Sequence, residues 1–385
     1  MKLKKYVLIS FSLMLASCKS SDSAQNDSSQ IKSSAANFTY PKPDADLGEA
    51  YHDGELEAAK ALPDLIQKQI LARYVGGKRV LRDAHPKSHG CLNAEFVVNP
   101  NIDPNFAQGV FSEGSRYKAI VRYSNANADP AQPDIKGDGR GMAVKLLGVK
   151  GPKLTDAASE VMTQDLIMIN HPVFFIADPQ LYVKAVEKAG SRNIFSKISL
   201  LTTLGIKGSK IALAIQGKQI ASPIQSAYFS EVPYQLGLGS AKKAVRYKVE
   251  PCSMNGSETV PNGTEDNNYL RHRLITHFKS QDACFTVFAQ QKTNASMNVE
   301  DSRDEWDSPW VSLATLTMKG KEQNLADSPG EEDPRNVACD TLSFNPWHSL
   351  AEHKPLGAMN RMRRAIYEQI SKVRHAANGE TRKEP

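Results

Sequence analysis

The fold of this chain is decided by four short runs, EFVVNP (95–100), YKAIVRYS (117–124), GMAVKLLG (141–148) and DLIMIN (165–170). Each run is rich in β-branched or aromatic residues, and glycine, proline and asparagine residues lie between the runs. No helical pattern between them is long enough for a crossover connection, so they predict neighbouring antiparallel strands. A sheet of this kind curls into a barrel if it must enclose something.

Further strands are predicted on both sides of this group. PVFFIAD (172–178) has the composition of a fifth strand, and later strands are predicted in 226–237, 244–251, 284–291 and 310–318.

Helical patterns surround the strands. They are predicted in 46–74, where Pro63 interrupts an apolar pattern, in 178–190, in 193–216 and in 361–377. The chain is therefore expected to have an α+β fold, an antiparallel β-barrel with surrounding helices.

The first residues predict export and a lipid anchor. MKLKKYVLISFSLMLAS (1–17) places lysines before a short apolar run, which is typical of a secretory signal peptide. LASC (15–18), at the end of the apolar run, resembles the bacterial lipobox, so Cys18 is the expected site of lipidation. The serine-rich segment 18–39 predicts a flexible tether, and 40–385 would then be the folded domain. Ser20, rather than an aspartate, favours the periplasmic side of the outer membrane by resemblance to the sorting rule.

Charge and cysteine content limit the possible partners. Without the three lysines of the signal, the formal charge falls from +6 to +3 and no polybasic block remains, so nucleic-acid binding is not indicated. The four cysteines after Cys18 allow up to two disulfides in an oxidising periplasm. Cys252 and Cys284, which flank a polar loop, are the favoured pair.

A striped helix is predicted near the end of the chain, in RMRRAIYEQISKVRH (361–375). At 100° per residue, Arg363, Tyr367 and Arg374 fall within about 40° of one another. The neighbouring face is apolar and consists of Met362, Ile366, Ile370 and Val373.

Two interpretations of this stripe are open. Tyr367 caps the core between solvated arginines, or it is a phenolate that binds iron. A phenol has a reference pKa near 10, so its ionisation at neutral pH needs about 4 kcal/mol, which an adjacent arginine and a ferric ion together could supply.

Upstream motifs favour the second interpretation. LRDAHPKSHGC (81–91), VRYSNANAD (121–129), GRGMAVK (139–145) and NHPVFFIADP (170–179) precede the striped helix in this order. With these five motifs the chain, from about Tyr40 to its end, resembles the haem catalase superfamily. The block FNPWHSLAEHKPLGAMNRMRRAIY, which ends at Tyr367, is most similar to a branch of small catalase-like proteins that lack the long arm and the C-terminal domain of full-length catalases.

The resemblance implies a haem b cofactor and a catalytic pair. Tyr367 would be the axial ligand of the iron, kept ionised by Arg363. His85 would be the distal base that moves a proton between the two oxygens of a peroxide. Ser124 would bind the other nitrogen of His85 and fix its tautomer. Phe174 matches an aromatic residue that packs on the haem, and the propionate-binding positions are matched by Arg82, Arg122 and Arg374.

Two positions depart from the family pattern. The distal asparagine that orients peroxide aligns with Ile169, and Asn170 can replace it only if the strand shifts or the side chain reaches round. Ala84 precedes the distal histidine where catalases commonly have valine. Loss of an orienting hydrogen bond costs about 1 to 3 kcal/mol.

The expected function is a haem-dependent catalase or peroxidase that acts on hydrogen peroxide or organic hydroperoxides. Two alternatives stay open, an enzyme that metabolises fatty-acid hydroperoxides and a haem-binding lipoprotein without activity. A metal site of His85, His89 and Cys91 is a further alternative, but Arg82 and Lys87 would repel a cation and no carboxylate is expected near it. The implied partners are a peroxide substrate and a membrane reached through Cys18, and the oligomeric state stays open.

Overall fold

The structure is a computed structural model that describes residues 39–155, 161–190, 194–263, 266–326 and 333–381. The predicted signal peptide, Cys18 and the tether up to residue 38 lie outside the described residues. About half of the described residues lie in the helices and strands below.

Within these described residues, nine strands form one sheet in which every pairing is antiparallel. They are β1 (Ser88–Val98), β2 (Arg116–Asn125), β3 (Arg140–Leu147), β4 (Thr163–Ile169), β5 (Tyr228–Phe229), β6 (Tyr234–Leu236), β7 (Lys243–Pro251), β8 (Ala283–Gln291) and β9 (Trp310–Met318). All the strand predictions except PVFFIAD are confirmed.

The sheet closes into an eight-stranded barrel. β1 pairs with both β2 and β9, and the order continues through β3, β4 and β5 on one side and through β8 and β7 on the other. β5 and β7 close the ring at Tyr228, which lies opposite Val249. The short strand β6 pairs with the first part of β7 on the same edge as β5. The predicted α+β fold with an antiparallel β-barrel and surrounding helices is confirmed.

Along each strand, the side chains alternate between the inside of the barrel and the outer face that the helices cover. Val121, Tyr123, Met142 and Val144 are almost fully buried in the main hydrophobic core. Because side chains alternate across a strand, Arg122 and Ser124 lie on the opposite face from Tyr123. This outer face of β2 and β3 carries the candidate site.

The prediction of a strand in Pro172–Asp178 is wrong. The segment leaves the sheet after β4, and the N–H of Phe174 donates to the carbonyl of Ser302 rather than to a neighbouring strand. Its apolar residues resemble a strand because they are buried against helices, and composition alone does not separate these two situations.

In the described part of the chain, six α-helices surround the barrel. They are α1 (Glu55–Arg73), α2 (Pro179–Gly190), α3 (Ile194–Gln216), α4 (Tyr269–Phe278), α5 (Pro334–Thr341) and α6 (Ala358–Ala377). α1 packs against α6 and α2, and α2 packs against α3. α1 runs on through Pro63, so the predicted interruption there is wrong. α3 is kinked at Gly205, and the sequence pattern predicted neither α4 nor α5.

Two disulfides join distant parts of the fold. The predicted pair Cys252–Cys284 is confirmed, and it links the end of β7 to β8. Cys91–Cys339 links β1 to α5 across a sequence separation of 248 residues. Among the described helices, none has the length and apolar character needed to cross a bilayer.

Candidate active site

The loop before β1 positions His85 against the outer face of the barrel. Its Nδ1 lies 3.0 Å from Oγ of Ser124 on β2. Its carbonyl oxygen accepts a 2.9 Å hydrogen bond from Nη2 of Arg122 on the same strand. The backbone of His85 has φ 63°, a left-handed conformation that is uncommon for a residue other than glycine. Both ring and backbone are therefore held by β2.

Burial and nearby positive charges keep the His85 imidazole neutral. Burial lowers its pKa to about 3, and the positive charges of Arg122, Arg363 and Arg82 add to this effect. A neutral imidazole has one nitrogen free to accept a proton. With Nδ1 engaged by Ser124, the other ring nitrogen is available for proton transfer.

Gly141 on β3 leaves room for this arrangement. A Cβ atom at this position would lie 2.5 Å from Nδ1 of His85 and 2.8 Å from Oγ of Ser124. A Cβ atom essentially never lies so close to another heavy atom, so any larger residue would displace the imidazole. The motif GRGMAVK contained this glycine, but its pattern did not show why the position must lack a side chain.

Ile169, not Asn170, lies on the face of the sheet that carries His85. The register pairs Ile169 with Gly141, whereas the next residue points away from that face. Asn170 is fully buried, and its Oδ1 accepts a 2.7 Å hydrogen bond from the N–H of Arg140. The strand has not shifted, and the carbonyl of the Asn170 amide is already used by the backbone.

Helix α6 presents the predicted tyrosine and arginines. Met362, Ile366 and Ile370 are buried in the main core, which confirms the predicted apolar face. Tyr367 is half-buried beside this core. Arg363, one turn earlier, places its guanidinium 5.6 Å from the ring centre of Phe174.

Arg363 links the two sides of the site. Burial lowers its pKa, but the interactions with Tyr367 and Glu231 outweigh burial and raise the pKa overall. The same guanidinium contributes to the low pKa of His85. The helix that carries Tyr367 and the loop that carries His85 therefore meet in one electrostatic environment.

The three predicted propionate-binding arginines form one cluster around Asp340. Arg82 and Arg122 both bind Oδ1 of Asp340, and Arg374 donates to its backbone carbonyl. Arg82 and Arg374 also donate to the carbonyl of Leu342. Three guanidinium groups with one carboxylate leave two positive charges in excess.

Sequence reasoning missed Asp340 and Glu231. Asp340 lies in the short helix α5, and the burial of its carboxylate is outweighed by Arg122, Arg82 and Arg374, which lower its pKa. Glu231 lies 3.6 Å from Arg363 and is buried with φ 60°. Burial raises the pKa of Glu231 to about 8 against the opposing effect of Arg363. No local pattern in the sequence marks either residue.

The metal site suggested by His85, His89 and Cys91 does not form. Cys91 is in a disulfide, and Nε2 of His89 lies 2.7 Å from Oδ1 of Asn125. A carboxylate does lie close, because Asp134 is 3.7 Å from Nδ1 of His89, so the expectation of none was wrong. Lys87 neutralises this carboxylate at 2.7 Å, however. Among the described residues, no group of three His, Cys, Asp or Glu side chains could hold a metal ion.

The donor set of the site fits a haem group. A phenol next to a guanidinium suits an iron ligand, and a neutral imidazole suits a distal base. Each guanidinium has five N–H donors, and the contacts described above use two on each of Arg82, Arg122 and Arg374. The two excess positive charges match the two carboxylates of a haem.

Comparison with known proteins agrees with this assignment. The family model described as catalase matches residues 52–198, which include His85, Ser124, Gly141 and Phe174. This match covers less than half of the chain, and it agrees with the resemblance that the sequence motifs carry. No curated protein gives a significant match.

Solved catalases share the fold. A fungal catalase superposes with a TM-score of 0.56 at 17% identity over 74% of this chain. A bacterial catalase gives 0.58 at 15% identity over 76%, and catalase A from Saccharomyces cerevisiae gives 0.56 at 16% identity over 77%. The chain spans 57% of the first two and 63% of the third, so it covers less than two thirds of their length.

Proposed function

We propose that this chain is a haem-dependent enzyme of the catalase superfamily that decomposes hydrogen peroxide or organic hydroperoxides as a catalase or a peroxidase. The observation that carries this proposal is the neutral imidazole of His85, fixed by Ser124 and coupled through Arg363 to Tyr367. The match to the catalase family model supports the same chemistry.

The proposed cofactor is haem b, held from both sides. The phenolate of Tyr367 would bind the iron, and the Arg363 guanidinium one turn away would stabilise the negative charge. Arg82, Arg122 and Arg374 would bind the propionates with the donors that Asp340 leaves available. When bound, the haem iron supplies the electrons that cleave the O–O bond.

His85 would move the proton. Its free ring nitrogen accepts the proton of one peroxide oxygen and returns it to the other, which leaves as water or an alcohol. Ser124 holds the ring in one orientation during both transfers. Because the pKa of the imidazole is about 3, the base is deprotonated before substrate arrives at any pH near neutrality.

Ile169 would make peroxide orientation weaker than in a site with a distal asparagine. The apolar side chain on the His85 face donates no hydrogen bond to substrate. A missing hydrogen bond of about 1 to 3 kcal/mol corresponds to roughly one to two decades in rate. This favours peroxidase activity over very fast dismutation.

Helix α3 favours organic hydroperoxides as a second candidate substrate class. Its inner face lies close to Phe175, since a Cβ atom on Gly208 would be 2.6 Å from the carbonyl oxygen of Phe175. The rings of Phe175 and Phe174 are 4.5 Å apart, so α3 covers the aromatic wall next to Arg363. On its outer face Ile206 is 81% exposed, and Leu213 is exposed as well. This apolar cover suits substrates with a hydrocarbon chain.

We further propose that the protein is a lipoprotein on the periplasmic side of the outer membrane, anchored at Cys18. The signal-like residues 1–17 and the two disulfides, which persist in oxidising compartments, support this location. Labelling with a radioactive fatty acid tests the anchor, because a Cys18→Ser chain should take up none.

An absorption spectrum tests the cofactor. The full chain supplied with haemin should show a Soret band and the bands of tyrosinate-ligated ferric haem. Tyr367→Phe should change that spectrum, whereas Tyr117→Phe, a tyrosine on β2 away from α6, should not. An unaltered spectrum after Tyr367→Phe would exclude Tyr367 as the ligand.

Two rates then separate the functions. A catalase releases oxygen from hydrogen peroxide, and an organic hydroperoxide enzyme consumes a fatty-acid hydroperoxide without releasing oxygen. In both enzymes His85→Ala should lower the rate by about 100-fold or more, the usual contribution of a positioned acid–base group. If haem binds but His85→Ala leaves both rates unchanged, the protein is a haem-binding lipoprotein without this chemistry.

A further inference from the structure

A small cavity lies beside Glu231, and its lining includes none of the predicted haem-binding residues. Its volume is about 70 Å³, and its lining includes Phe229, Glu231, Arg246, Trp306 and Trp310. The walls are therefore largely aromatic, and the side chains of Arg246, Glu231 and Glu305 bring one basic and two acidic groups to the same small space.

Arg246 is held rigidly at this cavity. Its side chain is almost fully buried on β7, and Nη1 donates a 2.5 Å hydrogen bond to the carbonyl of Asp304. The guanidinium lies over the ring of Trp306 at 4.6 Å. These two contacts fix both the position and the plane of the group.

One edge of this guanidinium has no partner. Neither Nε nor Nη2 of Arg246 makes a hydrogen bond within the part of the chain that the structure describes. These two nitrogens form one side of the planar group, and their N–H bonds are parallel. Such an edge matches the two oxygens of a carboxylate.

The opposite polar group is also unsatisfied. Oε1 of the buried Glu231 has no hydrogen-bond partner among the described residues. Buried polar groups without partners are rare in folded proteins, and two on one cavity indicate that something else fills it.

The net charge around Arg246 is nearly balanced. Asp301, Asp304 and Glu305 act on its guanidinium, while Lys207 pairs with the first two of these carboxylates. Burial lowers the pKa of Arg246 to about 10, so the group is still cationic at neutral pH.

We propose that this cavity is a binding site for a small monocarboxylate, whose carboxylate accepts from Nε and Nη2 of Arg246. Its size sets an upper limit on the ligand. A water molecule occupies on the order of 10–15 Å³ of such space, so the cavity holds about five or six non-hydrogen atoms. Acetate and glycolate fit this limit, and benzoate does not.

Isothermal titration of acetate into the full-length chain, loaded with haemin, tests the site. Wild-type protein should bind acetate saturably with a Kd below about 10 mM. Arg246→Lys keeps the positive charge but lacks the flat double-donor edge, so its affinity should fall by about tenfold or more. Arg273→Lys is the matched control, because Arg273 also stacks on an aromatic ring, that of Tyr269, outside this cavity.

Other acetate sites are separated by two further measurements. Binding at the iron would change the haem absorption spectrum, and binding at the Arg82, Arg122 and Arg374 cluster would persist in Arg246→Lys. Equal affinity in Arg246→Lys and wild type therefore overturns the proposal.

The wild-type protein supplies an independent test if Arg246→Lys fails to fold. Acetate and glycolate should bind and benzoate should not. Benzoate binding as tight as acetate binding would show that the acids do not bind in this cavity, and no binding of any of the three acids would show that ordered water alone fills it. Either result overturns the proposal.

Discussion

Two buried arginine clusters at helix α6 have opposite charge balances. Arg361, at the start of the helix, is surrounded by the carboxylates of Glu49, Glu55 and Glu300 at 2.7 to 3.2 Å. At the other end, Arg374 joins two more arginines around the single residue Asp340. The first cluster has an excess of carboxylates, whereas the second has an excess of guanidinium groups.

The pKa values of the arginines follow this difference. Burial lowers the pKa of Arg361, but hydrogen bonds with Glu55 and Glu300 outweigh burial and raise it overall. Burial, Arg122 and Arg374 together lower the pKa of Arg82. A guanidinium whose donors are all paired with carboxylates stabilises the fold, whereas a group of arginines with few carboxylates has N–H donors available for an anion. Residue type is the same in both clusters, and Arg122 and Arg374 are nearly as buried as Arg361, so the neighbours decide the role.

Removal of Arg361 should have the largest effect of the changes considered. Arg361→Met leaves three buried carboxylates without their main partner, which should lower the free energy of unfolding by about 5 kcal/mol, the upper end for a broken buried ion pair. Denaturant unfolding of the haem-free chain measures this. Lys372→Met, which breaks only the exposed pair with Glu368 on the same helix, should change it by less than about 0.5 kcal/mol. Similar losses in both variants would refute a structural role for Arg361.

Removal of Asp340 should have a smaller effect that depends on haem. Asp340→Asn leaves Arg82 and Arg122 without this carboxylate and leaves Arg374 only Glu380, which is 4.0 Å away and also pairs with Arg79, so the haem-free chain should lose about 3 kcal/mol of unfolding free energy. Bound haem would bring two carboxylates to the same guanidinium groups, so much of this loss should disappear in the loaded protein.

The comparison of haem-free and haem-loaded protein is the decisive measurement for this cluster. The stabilisation by haem should be greater in Asp340→Asn than in wild type. For Arg361→Met, haem should not reduce the loss, because Arg361 lies at the opposite end of α6 from Arg374 and the other arginines proposed to bind the propionates. A loss at Asp340→Asn that is the same with and without haem would show that the arginines around it do not bind the cofactor.

Local sequence patterns predicted the elements that build the site. The alternation in YKAIVRYS placed Arg122 and Ser124 on one face of a strand, and the 3.6-residue period placed Arg363 and Tyr367 on one face of a helix. The family motifs, taken in order, predicted that His85 lies in the same site as Tyr367. Each of these inferences depends on residues that are near one another in sequence.

The parts that could not be predicted depend on long-range contacts. Asp340 meets Arg82 across 258 residues, and nothing in PRNVACDT indicates that its acid will be buried among arginines. Glu231 meets Arg363 only because β5 and α6 converge at the barrel. PVFFIAD was misassigned for the same reason, since its apolar residues are buried by helices rather than by a sheet. Tertiary packing, rather than local propensity, decides all three.

The smallest expected effect of the arginine excess around Asp340 is on the fall of peroxide turnover at low pH, the acid limb of the pH profile. Since the pKa of His85 is about 3, the imidazole is deprotonated above that value, and kcat/KM for peroxide should stay flat from pH 8 down to about pH 4. An unperturbed histidine would instead lose activity through pH 6.5.

Arg82→Gln removes one of the positive charges that lower the pKa of His85, so this pKa rises and the acid limb moves toward higher pH. Arg116→Gln, an exposed arginine on β2, should leave the profile unchanged. The helical content at each pH must be measured in parallel, so that acid unfolding is not mistaken for protonation. An inflection near pH 6.5 in the wild type would mean that burial and the arginine charges together do not lower the pKa of His85, and the contrast between the two clusters would then concern stability alone.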